Sequence, residues 1–279
     1  MNFLNLPGKK IPPNQAKALI LPVPCNGLSK ASQGMDKAPE AILLASQMLS
    51  DYDVETNTDL NELGLLTLDP LVCPEKPQEL LEELANQTSP HFKKGELVAA
   101  IGGSHRISEG IIAAAVAQDN NLSVIHLGAH PHIQDPASDG PDIMARIKEK
   151  CQVSHLGIRS MTKAEKKKIH IDNLVFARDL YNNGLNAAND AIDVLGDAVY
   201  LTINLDVLDP ACMPAVVRPE PGGLDWYTLN NLIRMIAREK SIIGFDVTGL
   251  LPQKNGLHAH LLAAKLVYKT LICCLKNSR

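Results

Sequence analysis

The chain has 279 residues, 45% apolar and 21% charged, with 27 basic and 31 acidic side chains and a formal charge of −4. That length and composition supply a sizeable core and exclude a disordered chain or a small fold stapled by disulfides or metal. A mildly acidic balance argues against nucleic acid or an anionic membrane as a partner, and no apolar run is read as reaching the roughly 20 residues of a membrane helix.

Short apolar runs alternate with helical patterns along the chain. A strand is predicted over Ala18–Val23. A helix follows over Pro39–Leu49, with proline in its first turn and Glu40 at its positive end. Next comes a helix over Gln78–Gln87, with Leu80, Leu81 and Leu84 on one face. The remaining elements are strand Leu97–Ile101, helix Ser108–Gln118, strand Leu122–Leu127, helix Asp142–Lys150, strand Val153–Ile158, helix Lys163–Lys168, strand Leu174–Ala177, helix Asn186–Leu195, strand Val199–Leu205, helix Leu229–Lys240, strand Ile242–Val247 and helix Leu257–Leu275. Several strands are apolar at nearly every position, as strands covered on both faces are. The alternation predicts one α/β domain over residues 1–279, with a mostly parallel sheet between two helical layers.

Six cysteines stand at 25, 73, 151, 212, 273 and 274. They form no C-x-x-C pair, and their spacing suggests neither a disulfide framework nor a zinc ribbon, so thiols of a reducing compartment are expected. Met1–Lys10 holds no apolar signal segment, and the expectation is a cytoplasmic protein.

In a parallel sheet the ligand site lies beyond the carboxyl ends of the strands. Four such ends carry unusual residues: Gly102-Gly103-Ser104-His105, His126-Leu127-Gly128-Ala129-His130-Pro131-His132, Asn204-Leu205-Asp206-Val207-Leu208-Asp209-Pro210 and Asp246-Val247-Thr248-Gly249. Residues two apart in extended backbone point to one side. His130 and His132 are therefore expected to face one point, as are Asn204 and Asp206. The plainer reading is a set of polar loop residues satisfied by backbone and water. His126 is read as packed or at the surface, turned away from His130. His91, His155 and His170 are read as solvated. His258 and His260, about 200° apart on a helix, are not expected to share a metal. Lys166-Lys167-Lys168 is read as an exposed helical face, Asp209 as shaping a turn, Asp246 as orienting a loop, and Trp226 as packing near a helix start.

These segments, followed by Pro219-Glu220-Pro221-Gly222-Gly223-Leu224, resemble in order the signatures of the ureohydrolases: arginase, agmatinase and relatives. Gly34–Ser46, Tyr52-Asp53, Leu156–Arg159 and Gly244–Val247 are also similar to family segments, nearest to agmatinase. The resemblance implies an arginase/deacetylase-like three-layer α/β sandwich and a homo-oligomer, a trimer or hexamer. It also implies a hydrolase of C–N bonds in linear amidines, acting through two manganese ions bound by two histidines and four aspartates.

Carried over residue by residue, the ligand positions retained are His105, His130 and Asp206. Gly128 and Asn204 stand where the family has bridging aspartates, and His132 where it has a terminal one. Gly249 stands at the glutamate that pairs with the guanidinium, and Asp139 at a histidine that shuttles protons. The bound charge thus falls from −4 to −1, while two dications roughly 3.3 Å apart repel by about 20 kcal/mol at an effective dielectric of about 20. A dinuclear manganese site is not expected. The expectation is a catalytically inactive or impaired ureohydrolase homologue serving beside an active paralogue. One alternative is a mononuclear hydrolase of C–N bonds holding a single divalent metal (zinc, nickel or manganese) on His105, His130, His132 and Asp206. The other is an active agmatinase. Returning aspartate at 128, 132 and 204 is expected to restore manganese binding.

Overall fold

The computed structural model describes residues 1–5, 12, 15–27, 29–74, 76–133 and 143–277. In chain order the elements are β1 (Ala18–Val23), α1 (Ala38–Ser46), β2 (Tyr52–Asp53), β3 (Thr58–Asp59), β4 (Leu65–Thr67), α2 (Pro77–Lys93), β5 (Leu97–Gly102), α3 (Ile107–Val116), β6 (Ser123–Leu127), α4 (Ile143–Lys148), β7 (Val153–Ile158), α5 (Lys163–Lys168), β8 (Leu174–Phe176), α6 (Ala177–Asn183), α7 (Asn189–Asp193), β9 (Ala198–Asn204), α8 (Trp226–Glu239), β10 (Ser241–Thr248) and α9 (Leu257–Asn277). Among the described residues, eight strands form one sheet in the order β4-β1-β5-β10-β9-β6-β7-β8. Every pair in it is parallel.

Strand alternation divides the core into two layers. Odd-numbered residues of the central strands, among them Leu97, Ile101, Ile125, Leu127, Leu201, Ile203, Phe245 and Val247, pack with α1, α8 and α9. Val98, Ala100, Val124, Val153 and Tyr200 face the other way, against α2, α3 and α4. This is the expected three-layer sandwich. The sequence-based strands agree to within a residue or so. β4 is a half-buried edge strand of three residues, and β2 and β3 form a separate antiparallel hairpin of two residues each. Runs so short carry no periodic signal. α6 follows β8 directly, with no turn residues to announce it.

Three expectations are corrected. Cys25 and Cys73 are joined in a disulfide, while Cys151, Cys212, Cys273 and Cys274 are free. Spacing in sequence could not reveal that pair, because the sheet, not local chain, brings the cysteines together. The last helix is, by length and composition, apolar enough to cross a membrane, yet two thirds of it is buried inside the fold. Ala263, Ala264, Leu266, Val267, Tyr268 and Leu271 of α9 lie in the core under α1 and α8. Finally, His155 is buried rather than solvated, and His91 is half-buried against Glu96 at 2.7 Å.

One buried ion pair ties α9 to the β2–β3 hairpin. Lys269 Nζ donates to Asp53 Oδ1 at 2.7 Å and to Glu55 Oε2 at 2.9 Å, with Lys269 5% and Asp53 2% exposed. Burial alone raises the Asp53 carboxyl. Hydrogen bonds from Lys269 and Thr56 and the Lys269 charge outweigh it, and the net direction is down. The Lys269→Met variant leaves Asp53 buried without its cation, and a loss of about 3 kcal/mol is expected in urea unfolding at neutral pH. Because the folded Asp53 pKa is depressed, this contribution is present above the ordinary carboxylate range and fades as pH falls through it. The difference between Lys269→Met and the parent should therefore shrink in acid.

Candidate functional site

The four loops singled out in the sequence follow β5, β10, β9 and β6, which are adjacent in that order in the sheet. Their carboxyl ends form one crevice. His105 lies in the turn between β5 and α3. The Ser104 N–H donates to the Cys25 carbonyl at 3.1 Å and so holds this turn. His130 follows β6, and its Nδ1 lies 3.3 Å from the Ser160 carbonyl. That partner requires the proton on Nδ1, so in the neutral tautomer Nε2 carries the lone pair. The Nε2 atoms of His105 and His130 are both shut from solvent without a hydrogen-bond partner.

His132 reaches the crevice by a different route from the one expected. Its φ is +51°, a left-handed conformation usually left to glycine, so the extended backbone assumed for 130–132 is absent. The His132 ring packs on His105 with centroids 4.1 Å apart, and its centroid is 6.1 Å from that of His130. Asn204 ends β9 and caps the following turn: its Oδ1 accepts the Asp206 N–H at 3.2 Å. This bond fixes the amide, and Nδ2 is turned toward His132 Nε2 at 3.5 Å. Asn204 therefore offers the crevice a donor, not a ligand oxygen. Asp206 Oδ1 accepts the Ala129 N–H at 3.0 Å. Arg159 secures the loop beneath, donating to the carbonyls of Asp206 at 2.7 Å, Leu208 at 3.2 Å and Glu220 at 2.7 Å. Asp209 shapes the turn as expected, accepting the N–H groups of Ala211, Gly222 and Gly223. Asp139 lies outside the described residues.

His126 is packed, as one expectation had it: it is 1% exposed, with its ring 5.7 Å from that of His132. A Cβ placed on Gly128 would stand 2.7 Å from His126 Nε2 and 3.5 Å from Asp206 Oδ1. The imidazole thus fills the space where an aspartate at 128 would begin. His126 pairs across the sheet with His155, Nδ1 to Nδ1 at 3.2 Å, so one donates and the other accepts. The row continues in register through Thr202 on β9 to Asp246 on β10. Thr202 Oγ1 donates to Asp246 Oδ1 at 2.8 Å, and Ser108 of α3 lies 3.3 Å from Thr202. Asp246 is accordingly a buried floor residue, not a loop-orienting one at a strand end.

The electrostatics follow from burial. It depresses His105 to about 4 and His155 to about 3, and holds His126 and His132 well below the ordinary imidazole value. Burial likewise raises Asp206, partly offset by the Ala129 N–H, and pushes Asp246 up to about 7. Among the described residues, the crevice is an imidazole-lined pocket with one carboxylate. Gly249 has φ +94°, and a Cβ there would stand 2.2 Å from Asn204 Oδ1, so no side chain fits at that position as Asn204 now lies.

The arginase family's sequence profile matches residues 16–273. The chain belongs to the arginase family. It is 31% identical to an N(1)-aminopropylagmatine ureohydrolase of Synechocystis over 92% of this chain and 88% of that protein. It is also 31% identical to one of Thermus thermophilus, over 94% and 92%. The agmatine ureohydrolase structure of Thermoplasma volcanium superposes with a TM-score of 0.83 at 22% identity, covering 93% of this chain and 90% of that one. Proclavaminate amidino hydrolase of Streptomyces clavuligerus gives 0.85 at 22%, covering 99% and 97%. The last two establish the fold alone.

The family's paired manganese ions do not fit these residues. Gly128 brings no donor atom, Asn204 turns its nitrogen inward, and among the described residues Asp206 is the one carboxylate of the crevice loops set against two dications. Among the described residues, no three His, Cys, Asp or Glu side chains are grouped so as to hold an ion.

Four buried neutral imidazoles make stability fall in mild acid. Each folded pKa lies below the unfolded value of about 6.5, so the unfolded chain binds more protons as pH drops below it. Asp246 and Asp206 act in the opposite sense, because their folded carboxyls are raised, Asp246 to about 7; the four imidazoles outnumber the two. Urea unfolding is expected to lose stability steadily from about pH 6.5 to about pH 4. The slope should be shallower in His155→Gln by about 1.4 kcal/mol per pH unit, one proton's worth; equal slopes would contradict the assignment.

Proposed function

We propose that this chain is an arginase-family protein that no longer hydrolyses guanidines, and that it acts as a non-catalytic subunit. The reading places it in the cytoplasm, as a homo-oligomer or beside an active paralogue. What carries it is the crevice charge. The relatives named above are ureohydrolases, and the resemblance assigns their chemistry to two manganese ions held by four aspartates. Here Asp206 alone remains, and its carboxyl is itself pushed toward the neutral form. The guanidinium partner is missing as well, since Gly249 carries no side chain and its backbone excludes one. A cationic amidine substrate therefore meets neutral imidazoles where its relatives present carboxylates.

A second reading has one observation in its favour. The buried, unpartnered Nε2 atoms of His105 and His130 are the donors a single zinc or nickel ion would take, and the Nδ1–H of His130 toward Ser160 is the usual support of such a ligand. With His132 and Asp206 they would hold one ion, able to lower the pKa of a bound water. The packed rings of His105 and His132 argue against it.

Metal analysis and product assay separate these readings. Protein purified with excess manganese, zinc or nickel is expected to retain no stoichiometric metal and to release no urea from agmatine or N(1)-aminopropylagmatine. One equivalent of zinc or nickel, lost on His130→Ala, would favour the mononuclear hydrolase. Two manganese ions per chain with urea release would overturn both.

A further inference from the structure

The disulfide lies against the crevice. Cys25 sits two residues beyond β1 and is 5% exposed, and it is bonded to Cys73, 48 residues later, with Cα atoms 5.9 Å apart. The Cys25 carbonyl is the acceptor for the Ser104 N–H, one residue before His105. Gly103 presses on the same segment: a Cβ there would stand 2.0 Å from the Met35 carbonyl oxygen and 2.7 Å from that of Cys25. Asn26 closes the segment on itself, its Oδ1 accepting the N–H groups of Gly34 at 3.0 Å and Asp36 at 3.1 Å. Residues around Cys25, Asn26 and Met35 thus cradle the turn that carries His105. The cross-link fastens this cradle to the segment at Leu71–Cys73, whose own backbone tie to β1 is the Leu71 N–H to the Pro22 carbonyl at 2.9 Å.

We propose that the Cys25–Cys73 bond is a reversible latch on the His105 turn, opened by dithiol reductants. Cys73 is half-buried and follows the exposed Val72, whereas Cys25 is buried, so attack falls on Cys73. The reductant's thiolate bonds to Cys73 Sγ, the S–S bond breaks, and Cys25 leaves as a thiolate that takes up a proton. The reductant's second thiol then attacks the mixed disulfide, frees Cys73 as a thiol and leaves the reductant as a cyclic disulfide. Two electrons and two protons pass from reductant to protein. Three of the four free thiols compete poorly. Burial pushes Cys151 up to about 11 and raises Cys273 and Cys274, so little thiolate is available at those three positions. Opening removes the constraint on the 25–73 loop and leaves the turn to its hydrogen bonds, Ser104 N–H to the Cys25 carbonyl and Gly249 N–H to the Gly103 carbonyl.

The test is hydrogen exchange on the full-length protein, oxidised, reduced with dithiothreitol without denaturant, and reoxidised. Thiol alkylation under denaturing conditions sets the state: four modified cysteines before reduction and six after. Backbone amides from Gly103 to Ile107 are expected to exchange at least about tenfold faster after reduction, to regain protection on reoxidation, and to match the reduced rate in Cys73→Ser. Amides of α8, remote from the bond, are expected to stay unchanged. Six free thiols before reduction, a bond that resists dithiothreitol in the folded protein, unchanged exchange at 103–107, or equal acceleration throughout the core would each overturn the latch. Should Cys73→Ser fail to fold, the reduced and reoxidised parent protein decides the matter.

Discussion

Asp206 is the one carboxylate that the described crevice loops bring to the point where β6 and β9 end, and burial weakens even that charge. Two dications held about 3.5 Å apart repel by about 20 kcal/mol at an effective dielectric of about 20. Only closely placed anionic ligands offset such a term. Neutral imidazoles supply lone pairs but no compensating charge, and an amide turned nitrogen-inward supplies neither. On the proposed reading, the fold is kept while the charge on which the family's chemistry depends is missing. Function can separate from architecture in this way: the eight-stranded sheet aims four loops at one crevice, and the chemistry depends on the residues at their tips.

Beneath the crevice the sheet carries an unusual buried polar row. His155, His126, Thr202 and Asp246 stand in register on four adjacent strands, all on the face covered by α2, α3 and α4. Buried polar groups are tolerated when they satisfy one another, and here the pairing is His126 with His155 and Thr202 with Asp246. The row limits what the crevice floor can do. His126 cannot turn away from Gly128 without leaving His155 unpaired, so floor and crevice adjust together or not at all.

The sheet was legible in the sequence because buried parallel strands are apolar at almost every position, and the helices between them keep a 3.6-residue period. The crevice loops were legible because strand ends are where ligands bind. What the sequence hid came from contacts distant in the chain. The Cys25–Cys73 bond joins residues 48 apart through the docking of an edge segment. The arrival of His132 depends on a left-handed backbone that no histidine announces. His155 and Asp246 become buried partners only once the register of four strands is known. His126 was legible as packed, but its place beside Gly128 was not, because β6 ends at Leu127 and alternation does not carry past it to His130.

The altered positions form a set that resists piecemeal reversal. An aspartate at 128 needs the volume that His126 fills, and clearing it costs the His126–His155 bond. A glutamate at 249 meets Asn204 Oδ1 at 2.2 Å on a backbone that disfavours any side chain. An aspartate at 204 gives up the Nδ2 donor facing His132 and sets a second negative charge beside Asp206 in a dry pocket. On the proposed reading each return is unfavourable alone because its neighbour does not accommodate it, and the three aspartates expected from the sequence to restore metal binding leave His126 and Gly249 in place. Coupling of this kind makes the neutral crevice a stable end point: restoring the family's chemistry asks for simultaneous changes on β6, β9 and β10, with no intermediate that has both a metal and a substrate partner.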